Sequence, residues 1–558
     1  MFINPFTLLI IPLLGSLLIL IYPSSPAPFT NKNGLISAIN NGEENIDQNL
    51  YWTRLYNVES SLNNRANTHI KTIALVTSFI NLLISIIMWI NFDSSYVGYQ
   101  FITELSAKEH LSFLHLTLGV DGISLYFVLL TTFITPIALL SSHNEIEKNL
   151  KFYLVCILLL ETLQIAVFVA LDLLIFYVFF ESVLIPLFLI IGVWGAGEAR
   201  IRAAYLLFLY TLFGSLFMLL AILQIYNLLG STDYNLLSMT EISLESQKIL
   251  WLGFFIAFAI KTPLWPWTGW LFRAHVQAPL SGSVILAAVI LKLATYAYLR
   301  ILISFLPDAT HFFSPLVQGI AVITLIYASL SALRSQDSKA LVALSSISHC
   351  ALIVLGLFSN TVIGIEGGIL VSLAHGFISP ALFIIVGGII YTRTHTRVIL
   401  YVRGLTTYMP ILSILFLIFA LANASIPLTT GWVGEQMTLI GLFERSPIIG
   451  VLGASSIFLT ACYSVFLYNR LMFGSYSKYL KPLKDLDRRE FIVLFTLLLP
   501  TVIFGLWPNL ILESLHLTVS NLIYCLPDLE SNTVFDSGIL FLFFKTGLDL
   551  NKNNSHSE

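Results

Sequence analysis

Charge is what this sequence has least of. Lys, Arg, Asp and Glu make up 11% of its 558 residues, against roughly 25% in an ordinary soluble protein. A soluble fold needs a solvated surface, and 28 basic and 31 acidic residues cannot cover a chain of this length. A basic stripe is also missing. The net charge of −3 excludes a nucleic-acid binder. Cysteine is scarce: Cys156, Cys350, Cys462 and Cys525 stand far apart without CxxC spacing. They read as apolar helix residues, not as a disulfide framework or a metal site. No GxGxxG fingerprint, P-loop, cluster-type cysteine spacing, HExxH or GxSxG is present. No cofactor and no metal are therefore expected in this chain. No Lys or Arg precedes the apolar segment at Phe6, so neither a secretory signal nor an Arg-rich transit peptide is read there, and the segment reads as a mature first span.

What is abundant is apolar: 57% of residues are hydrophobic, with 41 Phe and 23 Tyr. Ile, Phe, Tyr and Asn have AT-rich codons, which suits an organellar gene. A membrane span needs about 20 mostly apolar residues. Such stretches lie near 6–22, 72–92, 120–141, 150–170, 172–194, 203–229, 249–270, 279–303, 312–333, 340–358, 366–391, 408–428 (continuing to 444), 447–472 and 490–508. The fold class is an all-α polytopic membrane protein of about fourteen transmembrane helices. Residues 23–71 read as a long polar loop. The short apolar pieces after 508 are expected to lie along the membrane or a neighbour, not to span.

The distribution of positive charge supports the count. Odd-numbered loops hold Lys32, Arg54, Arg65, Lys71, Lys148, Lys151, Arg200, Arg202, Arg273, Arg334, Lys339, Arg393, Arg397, Arg403, Arg470, Lys478, Lys481, Lys484, Arg488 and Arg489. Even-numbered loops and their edges hold only Lys108, Lys248, Arg300 and Arg445. Positive loops stay on the cytoplasmic or matrix side. Residues 23–71 and 474–489 are placed there, and both termini on the opposite side.

An ionisable side chain in hydrocarbon is costly and usually faces protein or water along a path. Glu181, Lys261, Lys292, His349, His375 and Glu435 all fall inside expected spans, as does Glu161. Asp172 is either a helix N-cap or a member of the set. His349 and His375 are either helix–helix hydrogen-bonding groups or proton carriers. Glu161 is either a structural polar contact or part of a path. A purely structural reading is weakest for Glu181, Lys261 and Lys292 together. Lys261 is followed by Pro263 and Pro266, and Glu435 is preceded by Pro427 with Gly431 and Gly434 between. Each reads as a loop or, more sharply, as a discontinuous helix with a charge at its break.

Glu181 to His349 is 168 positions and Lys261 to Glu435 is 174. Titratable groups thus recur in order in two five-helix units, 150–305 and 306–473, flanked by 1–149 and 474–558. Five crossings are odd, so a second copy must be inverted, as in ion-translocating transporters.

VDGISLYFVLLTTFITP (120–136), DLLIFYVFFESVLIPLFLIIGVWG (172–195), KTPLWPWTGWLFRAHVQAPLSGSVILAAVILKLATYAYLR (261–300), SSISHCALIVLG (345–356) and AHGFISPALFIIVGGIIY (374–391) resemble the antiporter-like subunits of respiratory complex I, over roughly residues 110–510. The segment 23–71 and the loop after Lys261 look like a fungal form. The resemblance implies a proton channel in the mitochondrial inner membrane, with Glu181, Lys261, Lys292 and Glu435 as its charged residues and His349 and His375 on its central axis. It also implies that NADH, FMN, iron–sulfur clusters and ubiquinone belong to partner subunits, and that neighbouring antiporter-like subunits and membrane lipids surround the chain. The sequence departs from the family after Lys261. Thr268, Phe272 and Gln277 stand where a histidine, a proline and a glutamate are frequent. The role of His275 stays open. A multisubunit cation/proton antiporter would share the fold and the charged axis. A membrane scaffold or lipid-modifying enzyme would need loop motifs that are missing.

Overall fold

The structure is a computed structural model and describes residues 4–22, 46–106, 115–146, 148–240 and 242–524. Eleven described helices are long and apolar enough to cross a membrane. The other three expected spans are the short helix Pro5–Ile21 and two broken helices. The first broken pair is Leu244–Lys261 followed by Gly269–Gln277. The second is Pro410–Asn423 followed by Thr430–Arg445. All fourteen expected spans therefore coincide with helical segments.

Polar side chains mark where helices start. Asp121 accepts from the Ser124 N–H, and Ser124 returns a bond to the Asp121 N–H, closing a capping box before Gly122–Ser141. Asp337 caps Ser338–Leu357, Thr361 caps Val362–Phe383 and Thr429 caps Thr430–Arg445. Asp172 resolves as a cap. Its Oδ1 accepts from the Leu174 and Ile175 N–H groups and its Oδ2 from the Thr232 hydroxyl. That cap separates two spans with only three residues between them.

Three features differ from expectation. The segment read as loop to residue 71 is helical from Ile46, continuous with the span in Ile46–Ile90. It contains neither Gly nor Pro, so nothing in it stops a helix once the apolar part is anchored. A two-stranded hairpin, Gln100–Ser106 with His115–Val120, precedes the third span and pairs Thr103 with Leu118 and Leu105 with Leu116. The tail forms a helix, Asn509–Tyr524, that packs on the chain's own helices. Tyr126 donates to the Leu510 carbonyl at 2.9 Å, and His516 Nδ1 meets the buried Glu366 Oε1 at 2.8 Å. Glycine at 122 permits this contact, since a Cβ there would lie 2.4 Å from the Ser514 carbonyl oxygen. Cys525 and residues 539–544 lie outside the described residues. Cys156, Cys350 and Cys462 are free thiols.

Two spans form the axis of the molecule. Leu280–Ile303 is buried along its whole length, and so is the apolar core of Val362–Thr394. The remaining helices wrap them and leave apolar side chains such as Leu209, Phe213 and Leu220 exposed. Val362–Phe383 and Thr430–Arg445 approach closely because glycines line their contact. A Cβ at Gly434 would lie 2.7 Å from the Val371 nitrogen, and one at Gly367 would lie 2.5 Å from the Thr438 nitrogen. Small residues let backbones meet where the bilayer offers no hydrophobic drive.

Candidate functional site

The site is built on the two broken helices and the two axial ones. Lys261 is the last residue of Leu244–Lys261, just before Pro263 ends the helical hydrogen bonding. Its ammonium is buried, donates to the Phe180 carbonyl at 3.0 Å and lies 3.3 Å from the centre of the Phe180 ring. Glu181 follows Phe180 directly. Its Oε1 is buried without a hydrogen-bond partner. The two charges are thus neighbours, but no ion pair within 4.0 Å joins them among the described residues. The lysine's own hydrogen bond goes to the backbone carbonyl one residue before Glu181.

Lys292 lies midway along Leu280–Ile303, which contains π-helical turns at Leu286–Ile290 and Tyr298–Ile303. A π-turn shifts the backbone ladder and exposes a carbonyl to other donors. Lys292 uses this, donating to the Ala287 carbonyl at 2.7 Å. It also meets His375 Nδ1 at 2.6 Å. An ammonium can only donate, so Nδ1 offers its lone pair and the neutral ring carries its proton on Nε2.

His375 passes the contact on. Its ring centre is 5.7 Å from that of His349, and His349 Nδ1 is 3.5 Å from Glu435 Oε1. Lys292, His375, His349 and Glu435 therefore form one file across three helices and the second broken segment. All four are buried. His375 Nε2, His349 Nε2 and Glu435 Oε2 have no hydrogen-bond partner. Buried polar atoms of this kind are ordinarily completed by water. Each member can both accept and release a proton, which a packing contact does not require. Glu435 sits in the helix after the break, whereas Lys261 ends the helix before one. The two positions expected to correspond occupy different sides of their breaks.

The other candidates are not in the file. Lys261 and Lys292 have no direct contact. The Thr262 and Tyr298 hydroxyls meet at 3.1 Å between their helices. His275 is fully buried and stacks on Phe383 at 4.6 Å, with both ring nitrogens unbonded. Glu161 accepts from Asn81 Nδ2 at 2.7 Å and ties the fourth span to the second. Its Oε2 has no partner.

Buried charges that escaped the sequence reading include Lys339 and Arg300. Lys339, assigned to a loop, is buried in the first turn of Ser338–Leu357 and donates to the Ala278 carbonyl at 2.8 Å. Arg300, assigned to a span edge, forms a buried 2.6 Å ion pair with Asp121 and bonds Tyr296 and Tyr99. The buried Asp121 carboxylate thus accepts from both the Arg300 guanidinium and the Ser124 N–H. The sequence signal was available in VDG and YLR, where opposite charges end two apolar runs on the same side. Among the described residues no cluster of three or more His, Cys, Asp or Glu could hold a metal ion.

Broken helices carrying charge, two buried axial spans and a lysine–histidine–glutamate file define an antiporter-like, ion-conducting membrane subunit. Residues 170–461 match the family described as NADH:quinone oxidoreductase/Mrp antiporter, TM. A NADH-ubiquinone oxidoreductase chain 4 of Mycosarcoma maydis is 61% identical over 460 residues, covering 82% of this chain and 94% of that protein. The chain belongs to the NADH-ubiquinone oxidoreductase chain 4 family. Its fold is similar to a chain of respiratory complex I from Thermus thermophilus, with TM-score 0.75 and 29% identity over 81% of this chain and 95% of that one. A chain of the Mrp complex from a Dietzia species shares the fold at TM-score 0.73 and 19% identity, over 82% of this chain and 93% of that one.

Proposed function

We propose that this chain is a core membrane subunit of the proton-pumping NADH:ubiquinone oxidoreductase, respiratory complex I, in the mitochondrial inner membrane. Protons cross within it while electrons move in partner subunits, which hold NADH, FMN, the iron–sulfur clusters and ubiquinone. Neighbouring antiporter-like subunits flank it. Residues 23–71 and 474–489 face the matrix, and both termini face the intermembrane space. Residues 150–305 and 306–473 act as two inverted half-channels.

The observation that carries this reading is the file Lys292, His375, His349, Glu435, which crosses from one half to the other. A change at a neighbouring subunit that draws Glu181 away from Lys261 favours release of the lysine proton. The proton passes by way of the Thr262–Tyr298 region to Lys292, then along the two histidines to Glu435, the outlet. Moving one charge against the membrane potential costs roughly 2.3 kcal/mol per 100 mV. A shift of about two pKa units supplies roughly 2.7 kcal/mol, so modest rearrangements are sufficient. The 61% identity to a complex I chain over most of the sequence favours this assignment over a free-standing cation/proton antiporter.

Lys261→Ala or Glu181→Ala, introduced singly, is expected to leave an assembled complex with most NADH-driven proton uptake lost. Near-normal ubiquinone reductase turnover and pumping in assembled variants would remove both residues from the pathway.

A further inference from the structure

Several basic residues at the positive ends of the helices are engaged by the chain itself. Arg200 donates to the Gly195 carbonyl at 3.1 Å, Arg397 to the Val276 carbonyl at 2.7 Å, and Arg393 pairs with Glu490 at 2.6 Å. Arg202 and Arg273 differ. Both are exposed, and among the described residues neither guanidinium has a hydrogen bond, an ion pair or an aromatic ring against it. Both line the same groove of about 300 Å³, between the start of Arg200–Leu229 and the short helix Gly269–Gln277. Its other walls are Ala199, Ala203, Phe272 and Val276, with the polar Gln277 at one edge.

The groove opens onto a stripe. From Arg202, the positions 205, 209, 213, 216 and 220 follow at helical spacing on one face, and they are Tyr205, Leu209, Phe213, Leu216 and Leu220. All five are exposed. The stripe runs about 27 Å from the arginine at 1.5 Å per residue, much of the thickness of a bilayer's hydrocarbon core. A pair of uncompensated cations at one end of a bare apolar strip matches a ligand with an anionic head and long apolar tails. A soluble anion would fill the head site but leave the strip bare. An acidic peptide would leave the strip unused.

We propose that Arg202 and Arg273 bind the phosphate of an anionic phospholipid whose acyl chains lie along the Tyr205–Leu220 stripe. Guanidinium groups suit this because they hold phosphate oxygens through paired N–H donors. The Arg202→Gln/Arg273→Gln double variant, within the whole purified complex, tests the head site. After a detergent wash, phosphorus analysis and mass spectrometry should find at least one fewer anionic phospholipid per complex than in the wild type. Arg202→Lys/Arg273→Lys should retain more than the glutamine pair. Equal retention in wild type and the glutamine variant would overturn the proposal. A photoreactive phenylalanine analogue at position 272, in the otherwise wild-type complex, provides a second reading should the double variant fail to assemble. Adducts with phospholipid are expected, and adducts only with a protein neighbour would overturn the site.

Discussion

Glu435 is the proposed outlet of the file. Its Oε1 faces His349 while its Oε2 is buried and unbonded. Glu435→Gln keeps the shape and removes the protonatable oxygen, so turnover and proton-to-electron ratio are expected to fall sharply, by about tenfold or more. Glu435→Asp should retain part of both, since only the reach is shortened. A glutamine variant that matches the wild type in rate and stoichiometry would reduce Glu435 to a packing residue, leaving His375 as the next candidate. Arg300 makes a different prediction. Removing one member of a buried ion pair costs roughly 3–5 kcal/mol because the other is left uncompensated. Arg300→Ala is therefore expected to lower the thermal stability of the assembled complex, and adding Asp121→Asn should recover part of the loss. If the double variant is no more stable than the single one, the pair does not hold this end of the helix. At this scale the sequence was informative where a charge stood alone inside an apolar run, as Lys261, Lys292 and Glu435 do. It failed for Lys339, which is the second residue of a helix capped by Asp337 and reads as solvent-facing until Ala278, sixty-one positions earlier, folds over it.

The helix pair Val362–Phe383 and Thr430–Arg445 sets the spacing between His375 and Glu435. Its contact is written in glycines, with Gly367 against Thr438 and Gly434 against Val371. Gly367→Val would force the helices apart at the Thr438 backbone, which cannot yield as a side-chain tip would. The expected result is an assembled complex with impaired turnover, through a lengthened separation of His375 and Glu435. Normal turnover in the assembled variant would show that the spacing has slack. The elements themselves were largely legible, because twenty-residue apolar runs and proline breaks are strong signals. The π-turns were not. Nothing in LAAVI distinguishes it from α-helix until Lys292 claims the Ala287 carbonyl. The helix from Ile46 was missed for a related reason. Its polar composition resembles a loop, and only continuity with the span organises it.

For the whole molecule, the division of positive charge predicts the topology. A protease-cleavable tag at position 40 should be cut in inside-out membrane particles and protected in intact mitochondria. Cleavage only from the intermembrane side would overturn the span count. The span count could be checked within the sequence because charge alternates with every crossing, and one missing span would invert the pattern for all later loops. What no local pattern could reveal is which charges meet. The contact between Lys292 and His375 joins residues 83 positions apart, and only the packing of the two axial helices brings them within 2.6 Å.

The burial of Leu280–Ile303 on every side bears on how the chain is made. During synthesis this helix leaves the ribosome before Val362–Thr394, which later covers part of it, has been translated. For that interval Lys292 has no His375 to meet, and a lysine at the centre of a lone helix opposes insertion by roughly 2.5–3.5 kcal/mol. The apolar residues around it must carry the helix into the bilayer unaided, or the insertion machinery must shelter it until its partner arrives. The lysine at the centre of the finished molecule is thus a burden while the chain is being inserted.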